Sequence, residues 1–339
     1  MAIPYRTQRT LKRLGMVLLI ILVAAVLVTA CWFWWLGRYV VYDREKGARF
    51  DLDRSSLEIQ GQPMRQQEDL PDVDVFYNEG ENAIVDATDM KQLTGYYIST
   101  EDLEADITAI RPQLDALPAD TPVMIDVKNI YGGVFYDSKV SEYRNSAIST
   151  SAMGDLLTYM NSRGLYTIAR LPAFRDYNYG LNNVEYGLPT AGGYLWMDST
   201  YCYWLNPASQ GTRSYLISLV SELKNMGFDE VVLTDFYFPD STEIVFNGDR
   251  QQAIADAAKV LVDTCSTAAF AVSFVGDATF VLPQGRSRLY LENAQPAQAK
   301  TLAEGTALAE PEIYVVFITE LHDTRFDDYG VLRPLSGAH

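Results

Sequence analysis

The sequence predicts an α/β protein: an eight-stranded, TIM-like (β/α)8 barrel behind a single N-terminal transmembrane helix. Three observations predict it. Short apolar runs alternate with amphipathic helical patterns over about 240 residues, near the size of about 250 residues typical of such barrels. Glycines close several helical patterns just before an apolar run resumes. An uncharged run of residues, 15–37, precedes all of this. A doubly wound open sheet is the other arrangement that fits the same alternation.

The run GMVLLIILVAAVLVTACWFWWLG is long enough to cross a bilayer. Arg6, Arg9, Lys12 and Arg13 precede it, so residues 1–14 are expected to be a cytoplasmic basic tail and the rest of the chain to lie outside. Trp32, Phe33, Trp34 and Trp35 suit the outer interface, where amphipathic rings settle at headgroup depth. The tetrapeptide VTAC, ending at Cys31, resembles a bacterial lipoprotein cleavage box, although four bulky aromatics after the cysteine fit that poorly. Either route leaves a single-pass or lipid-tethered cell-membrane protein with an extracytoplasmic domain.

The net charge is −17 in 339 residues, and four basic residues stand ahead of the anchor, so the outer part is more acidic still. That argues against nucleic acid as a partner, because phosphate binding needs a basic face. With two histidines, His322 and His339, and no His/Cys cluster at metal-ligand spacing, neither a histidine triad nor a bound metal is expected, and no cofactor is indicated. Cys202 and Cys265 could pair in an oxidising compartment or remain buried free thiols.

Residues 38–88 are rich in charge and glutamine, as in QGQPMRQQEDLPDVD, and read as a stalk, with VDVFY inside it able to form a strand. The barrel domain is expected over 89–335. Its first strand is LTGYYIS, after which Ser99 or Thr100 caps a helix carrying Leu103, Ile107, Ile110 and Leu114. PVMIDVK is a buried second strand, and a helix with Leu156, Leu157 and Met160 runs to Gly164. LYTIARLPAF is the third strand. A long aromatic loop and a helix with Tyr215, Leu216, Leu219, Val220, Leu223 and Met226 then end at Gly227, and the stretch GFDEVVLTDFYFPD emerges as the fourth strand. AFAVSFVG, RLYLEN and EIYVVFIT complete a set of seven, and the eighth strand is sought in ENAIVDA or in the 50s–70s.

In such a barrel functional groups collect where strands end, on the C-terminal rim. The strand ends here carry Asp126 and Lys128, Arg170 and Asp176, Asp235, Glu292 and Glu320. Several carboxylates at one mouth suit glycosidic bond cleavage, in which one acid protonates the leaving oxygen and a second carboxylate activates water or attacks the anomeric carbon. Asp235, Glu292 and Asp126 are the candidate catalytic acids. Lys128, Arg170, Asp176, Tyr237 and Glu320 are candidate substrate contacts, with Trp196 and Trp204 of the aromatic loop as candidate sugar platforms. Lys128 is expected to project into the mouth and keep Asp235 ionised, and Glu292, flanked by Tyr290 and Leu291, to hold a proton.

The segments MIDVKNIYGGVFYDS, IARLPAFRD, GGYLWMDSTYCYWLNPAS and LKNMGFDEVVLTDFYFPD, in that order, resemble successive motifs of a bacterial family of glycoside hydrolase-like (β/α)-barrel domains that usually follow an N-terminal membrane segment. The resemblance covers roughly residues 93–240. It matches Asp126 and Lys128 to the family's Asp-x-Lys, Arg170 and Phe174 to its Ala-Arg segment, and Trp204, Asn206 and Pro207 to its Trp-x-Asp/Asn-Pro turn. Asp235 matches its strand-four acid. The chain departs from the family pattern at Asn129, where the family has an acid, and at Tyr237, where it has an arginine. RLYLEN with Glu292 stands where the family has Pro-Met-x-Tyr-Pro. The resemblance implies an enzyme that cleaves an envelope or extracellular polysaccharide; the departures imply instead a catalytically inactive barrel that binds glycan or an envelope protein through the same mouth.

Overall fold

The computed structural model describes residues 90–336, together with Val28, Thr29, Trp32 and the stretches 40–43 and 47–50. Apart from Val28, Thr29 and Trp32, the expected membrane helix lies outside the described residues, as does most of the expected stalk. No helix among the described residues is long and apolar enough to cross a membrane. Val40–Asp43 and Gly47–Phe50 form a two-stranded antiparallel sheet within the first of two compact units, which covers residues 1–79.

The second unit contains a closed parallel barrel of eight strands. They are β1 (Thr94–Ile98), β2 (Pro122–Asp126), β3 (Tyr166–Pro172), β4 (Glu230–Thr234), β5 (Ala271–Val275), β6 (Leu289–Glu292), β7 (Val315–Ile318) and β8 (Gly330–Pro334). Closure excludes the open doubly wound sheet. It also corrects the search for the eighth strand, which comes from the C-terminal segment GVLRP and not from residues before β1. β8 pairs with β7 through Val331 and Phe317 and with β1 through Val331 and Thr94. Its proline hides it from a pattern reading, because proline donates no ladder hydrogen bond and normally argues against a buried strand. Pro334 is tolerated as the last residue of the strand, where the ladder ends.

Helices cover the outside: α1 (Thr100–Asp106), α2 (Ile110–Leu114), α3 (Thr150–Ser162), α4 (Tyr177–Asn182), α5 (Gln210–Asn225), α6 (Arg250–Cys265), α7 (Ala299–Gly305) and α8 (Pro311–Tyr314). Ser99 is the cap of α1, in a reciprocal pair with Asp102. Gly164 (φ +64°) and Gly227 (φ +95°) end α3 and α5 in the left-handed conformation, and each leads into the next parallel strand, β3 and β4. α5 buries Leu216, Leu219, Val220 and Leu223 in the same core as Val231 and Leu233 of β4, at about 1.5–3 kcal/mol for each fully buried side chain.

Alternate strand residues face the lumen, and the period of two stacks them in layers. Met124, Ile168, Val232, Tyr290, Val316 and Leu332 form the central apolar plug. Two residues earlier, at the N-terminal end, Tyr166, Glu230 and Arg288 make a buried polar network, with Arg288 Nη1 2.5 Å from Glu230 Oε2 and the Tyr290 hydroxyl 2.9 Å from Glu230 Oε1. Two residues later come Asp126, Arg170, Thr234 and Glu292. The register of the plug therefore delivers ionisable groups to the C-terminal mouth.

Candidate active site

Arg170 organises one side of the mouth. Its Nε lies 2.6 Å from Asp126 Oδ1, its Nη2 3.2 Å from Asp126 Oδ2, and its Nη1 3.1 Å from Glu292 Oε1. Asp126 accepts two further hydrogen bonds, from the Thr100 backbone N–H and hydroxyl, both at 2.8 Å. Asp126 is thus committed to positioning Arg170 and the start of α1. Glu292 has a side chain one-third exposed, and the contact with Arg170 is its single ion pair among the described residues.

The floor holds Lys128. Its ammonium, wholly shielded from solvent, lies 2.9 Å from Asp176 Oδ2 and 3.1 Å from the Pro172 carbonyl. Asp176 is also fully buried, caps α4 through the Tyr179 N–H, and accepts from the Tyr215 hydroxyl at 2.9 Å. This corrects two expectations. Asp176 reaches no solvent and presents no surface to a substrate, and the charge of Lys128 is engaged by Asp176 and not by Asp235.

The cation nearest Asp235 is Arg175, whose importance the sequence reading missed. Its Nη1 lies 3.9 Å from Asp235 Oδ1, while its Nε lies 2.7 Å from Asp198 Oδ2. Burial works against a charge on Asp198, but hydrogen bonds from the Thr200 hydroxyl and Trp204 Nε1 and from backbone N–H groups bring its carboxyl down to about 2. Asp198 therefore stays ionised and holds Arg175 in place. The one available signal was position: Arg175 stands in the segment FRD, at the end of a strand already marked by Arg170 and Asp176.

Asp235 follows the last residue of β4 and takes φ +49°, a left-handed conformation that costs a non-glycine residue on the order of 1–3 kcal/mol. Strand alternation alone would turn its side chain away from the lumen that Thr234 faces. The positive φ redirects the chain, and Asp235 lines the mouth beside Thr234. Asn293 repeats the device after β6, with φ +59° next to Glu292. Burial pushes the Asp235 carboxyl above its ordinary range, opposed by the charges of Arg175 and Lys128. Burial also raises Glu292, opposed by Arg170 and reinforced by Asp235 and Asp126. The upward shift of Asp235 differs from the expectation of a carboxylate held ionised by Lys128. The cause is burial, which outweighs the lowering by Arg175 and by Lys128, whose ion pair is with Asp176.

The mouth is a cavity of about 640 Å³ whose wall includes Asp126, Lys128, Arg170, Asp235, Tyr237 and Glu292. Tyr237 is half exposed, and its ring meets Trp204 edge-on at 4.9 Å. Trp204 itself is buried, donates to Asp198 at 2.9 Å and lies 6.3 Å from Trp196, which packs against the main core. Both tryptophans support the loop that carries Arg175 and Asp198, and neither lines the cavity. Glu320 is exposed beyond β7 and borders an adjoining hollow. Among the described residues no group of three or more His, Cys, Asp or Glu is placed to hold a metal ion. Cys202 and Cys265 are buried free thiols.

The ion pairs of the mouth match one to one: Lys128 with Asp176, Arg170 with Asp126, and Arg175 with Asp198. Of the candidate acids on the mouth wall, Asp235 and Glu292 are the two left over, each reached by a cation already closer to another acid; Glu101 of α1 and Asp277 beyond β5 also line the wall. Two groups of like charge facing a shared, partly desolvated cavity favour uptake of a proton by one of them.

Residues 97–274 match the family model described as "Putative glycosyl hydrolase domain". The matched segment includes Asp126, Lys128, Arg170, Arg175 and Asp235 and ends before Glu292. No curated protein matches the sequence. Among solved structures, the α-galactosidase from Lactobacillus brevis has a TM-score of 0.51 at 10% identity, over 72% of this chain and 38% of its own. The α-galactosidase AgaA from Geobacillus stearothermophilus, in complex with raffinose, has a TM-score of 0.51 at 11% identity, over 74% of this chain and 41% of its own. A hypothetical protein from Ruminiclostridium thermocellum is 19% identical, with a TM-score of 0.46, over 52% of this chain and 96% of its own. The chain thus spans about two-fifths of each galactosidase, and at these identities the likeness is one of fold.

Proposed function

The chain belongs to the family of that glycosyl hydrolase domain, and on that premise we propose that its barrel mouth cleaves glycosidic bonds in an envelope or extracellular polysaccharide. The observation that carries this reading is the pairing pattern: three cations are engaged by three acids, which leaves Asp235 and Glu292, of the strand-end candidates, facing one cavity. Glu292, raised by burial and by two neighbouring carboxylates, donates a proton to the leaving glycosidic oxygen. Asp235, with Arg175 beside it, carries the negative charge that attacks the anomeric carbon or takes a proton from the attacking water. The C–O bond to the leaving sugar breaks, its oxygen gains the proton of Glu292, and water supplies the new hydroxyl. Tyr237 and Arg170 are placed to grip sugar hydroxyls beside the two acids.

The domain works outside the cell, tethered through residues 15–37. Support comes from the uncharged run and its basic N-terminal flank. Protease added to intact cells should remove the domain; a domain that stays protected until lysis reverses the orientation.

A second reading, binding without cleavage, draws on the 3.1 Å contact from Arg170 to Glu292, which favours the charged form of the proton donor. Reducing-end release from envelope and exopolysaccharide fractions separates the two. The enzyme reading expects release by the wild type and at least a hundredfold loss (about 2.7 kcal/mol of transition-state stabilisation) in Asp235→Asn and Glu292→Gln. Equal background from all three proteins, with glycan still retained in pull-downs, establishes the binding reading.

A further inference from the structure

Glu292 stands on a divide. A second hollow, about 840 Å³, adjoins the mouth, and Glu101, Arg170, Glu292 and Asn293 line both. Each space falls in the range of about 300–1,000 Å³ that accommodates a drug-sized ligand, more than one sugar ring needs. The proposed proton donor thus has room for substrate on either side, the arrangement required by a chain lying across the site.

The charge of the two hollows points to the kind of chain. Their walls carry seven acids, Glu101, Asp102, Asp126, Asp235, Asp277, Glu292 and Glu320, against two cations, Lys128 and Arg170. Lys128 is already matched from beneath by Asp176. Residues 90–336 as a whole hold 31 acids to 17 bases, so the cleft is about twice as acid-rich as the domain that contains it. Glycosidic chemistry accounts for two of the seven, and Asp126 is taken up by Arg170. The remainder are not gathered into a metal site, since no three stand close enough to share an ion. They are spread from Asp277 after β5 to Glu320 after β7. The hydroxyl of Tyr97, on the second hollow, is raised first by burial and next by Glu320, with Asp102 and Glu292 adding to the effect against Arg170. Acids distributed along a groove complement a positive charge repeated along a ligand, where a point ion would favour a cluster.

We propose that the two hollows form one cleft that binds a polycationic glycan, a chain of amino sugars with free amines, running across Glu292 from the mouth to Glu320. This rests on the reading of the mouth as a carbohydrate site, but not on its being catalytic.

The test uses the full-length chain with β-1,4-linked glucosamine oligomers of two to six units and their N-acetylated counterparts, in mildly acidic buffer where the sugar amines are protonated. Affinity is measured by calorimetry, and products are followed in the same samples. The amine tetramer should bind at least about tenfold more tightly than the acetylated tetramer and more tightly than the amine dimer. That preference should weaken as ionic strength rises from about 0.01 to 0.15 M and the Debye length falls from about 30 to 8 Å. Glu320→Gln, at an exposed position that burdens folding little, should remove most of the gain from dimer to tetramer. Equal affinity for amine and acetylated chains, no gain with length, or no binding of either series overturns the proposal. Tight, length-dependent binding without cleavage overturns the hydrolase reading and leaves this one standing; cleavage of neutral oligomers with no preference for amines does the reverse.

Discussion

Lys128 and Asp176 meet at 2.9 Å with neither side chain exposed, and this pair ties the exit of β2 to the first turn of α4. It pairs the one lysine of the mouth with Asp176, from where its charge still lowers Asp235, and fixes the start of the loop that leads to Asp198 and Trp204. Breaking one side of a buried pair leaves a stranded charge, which costs about 3–5 kcal/mol. Asp176→Asn is therefore expected to lower the urea unfolding free energy by about that amount. An unchanged midpoint would mean that Lys128 finds another acceptor.

Asp235 should weaken the fold at neutral pH. Its carboxyl pKa is raised in the folded state by burial, so between its unfolded and folded values the native protein binds more protons than the unfolded chain. Stability contributed by this group is then full below the ordinary carboxylate range and is lost as pH rises through the raised value. Asp235→Asn removes the titration, and asparagine tolerates the left-handed φ of +49°. The variant should melt a few degrees higher near pH 7, at about 2–4 °C per kcal/mol for a domain of this size, with the difference vanishing in acid. A lower Tm at neutral pH would contradict this.

Arg175 lies 3.9 Å from Asp235 and opposes its upward shift. In Arg175→Ala the Asp235 carboxyl should rise further, and because the proposed chemistry needs it ionised, the acidic limb of kcat/KM against pH should move to higher pH. Arg175→Lys, which keeps the charge, should bring the limb most of the way back. A fall in rate with no movement of the limb would limit Arg175 to holding the loop.

Cys202 and Cys265 are both free and buried, and burial pushes the Cys202 thiol up to about 12. Thiol reagents should label neither in the native protein and both after denaturation, and reductant should leave Tm unchanged. A reductant-dependent Tm would show a disulfide.

The sequence alone determined the alternation of strands and helices, the helix ends at Gly164 and Gly227, and the identity of Asp126, Arg170, Asp235 and Glu292 as strand-end groups. These follow from local rules: apolar periodicity, glycine conformation and the placement of ionisable residues at the close of buried runs. It did not yield β8, where Pro334 breaks the local pattern and closure is decided by pairing with β1, more than 200 residues away. Nor did it yield the partners. Arg288 and Glu230 meet inside the lumen because β4 and β6 bring them to one level. Lys128 goes to Asp176, Arg170 to Asp126 and Arg175 to Asp198 because barrel closure and the aromatic loop set those distances. Ion pairing falls off with distance and desolvation depends on what packs above a group, so which acids remain unmatched is a property of tertiary geometry, absent from the order of residues.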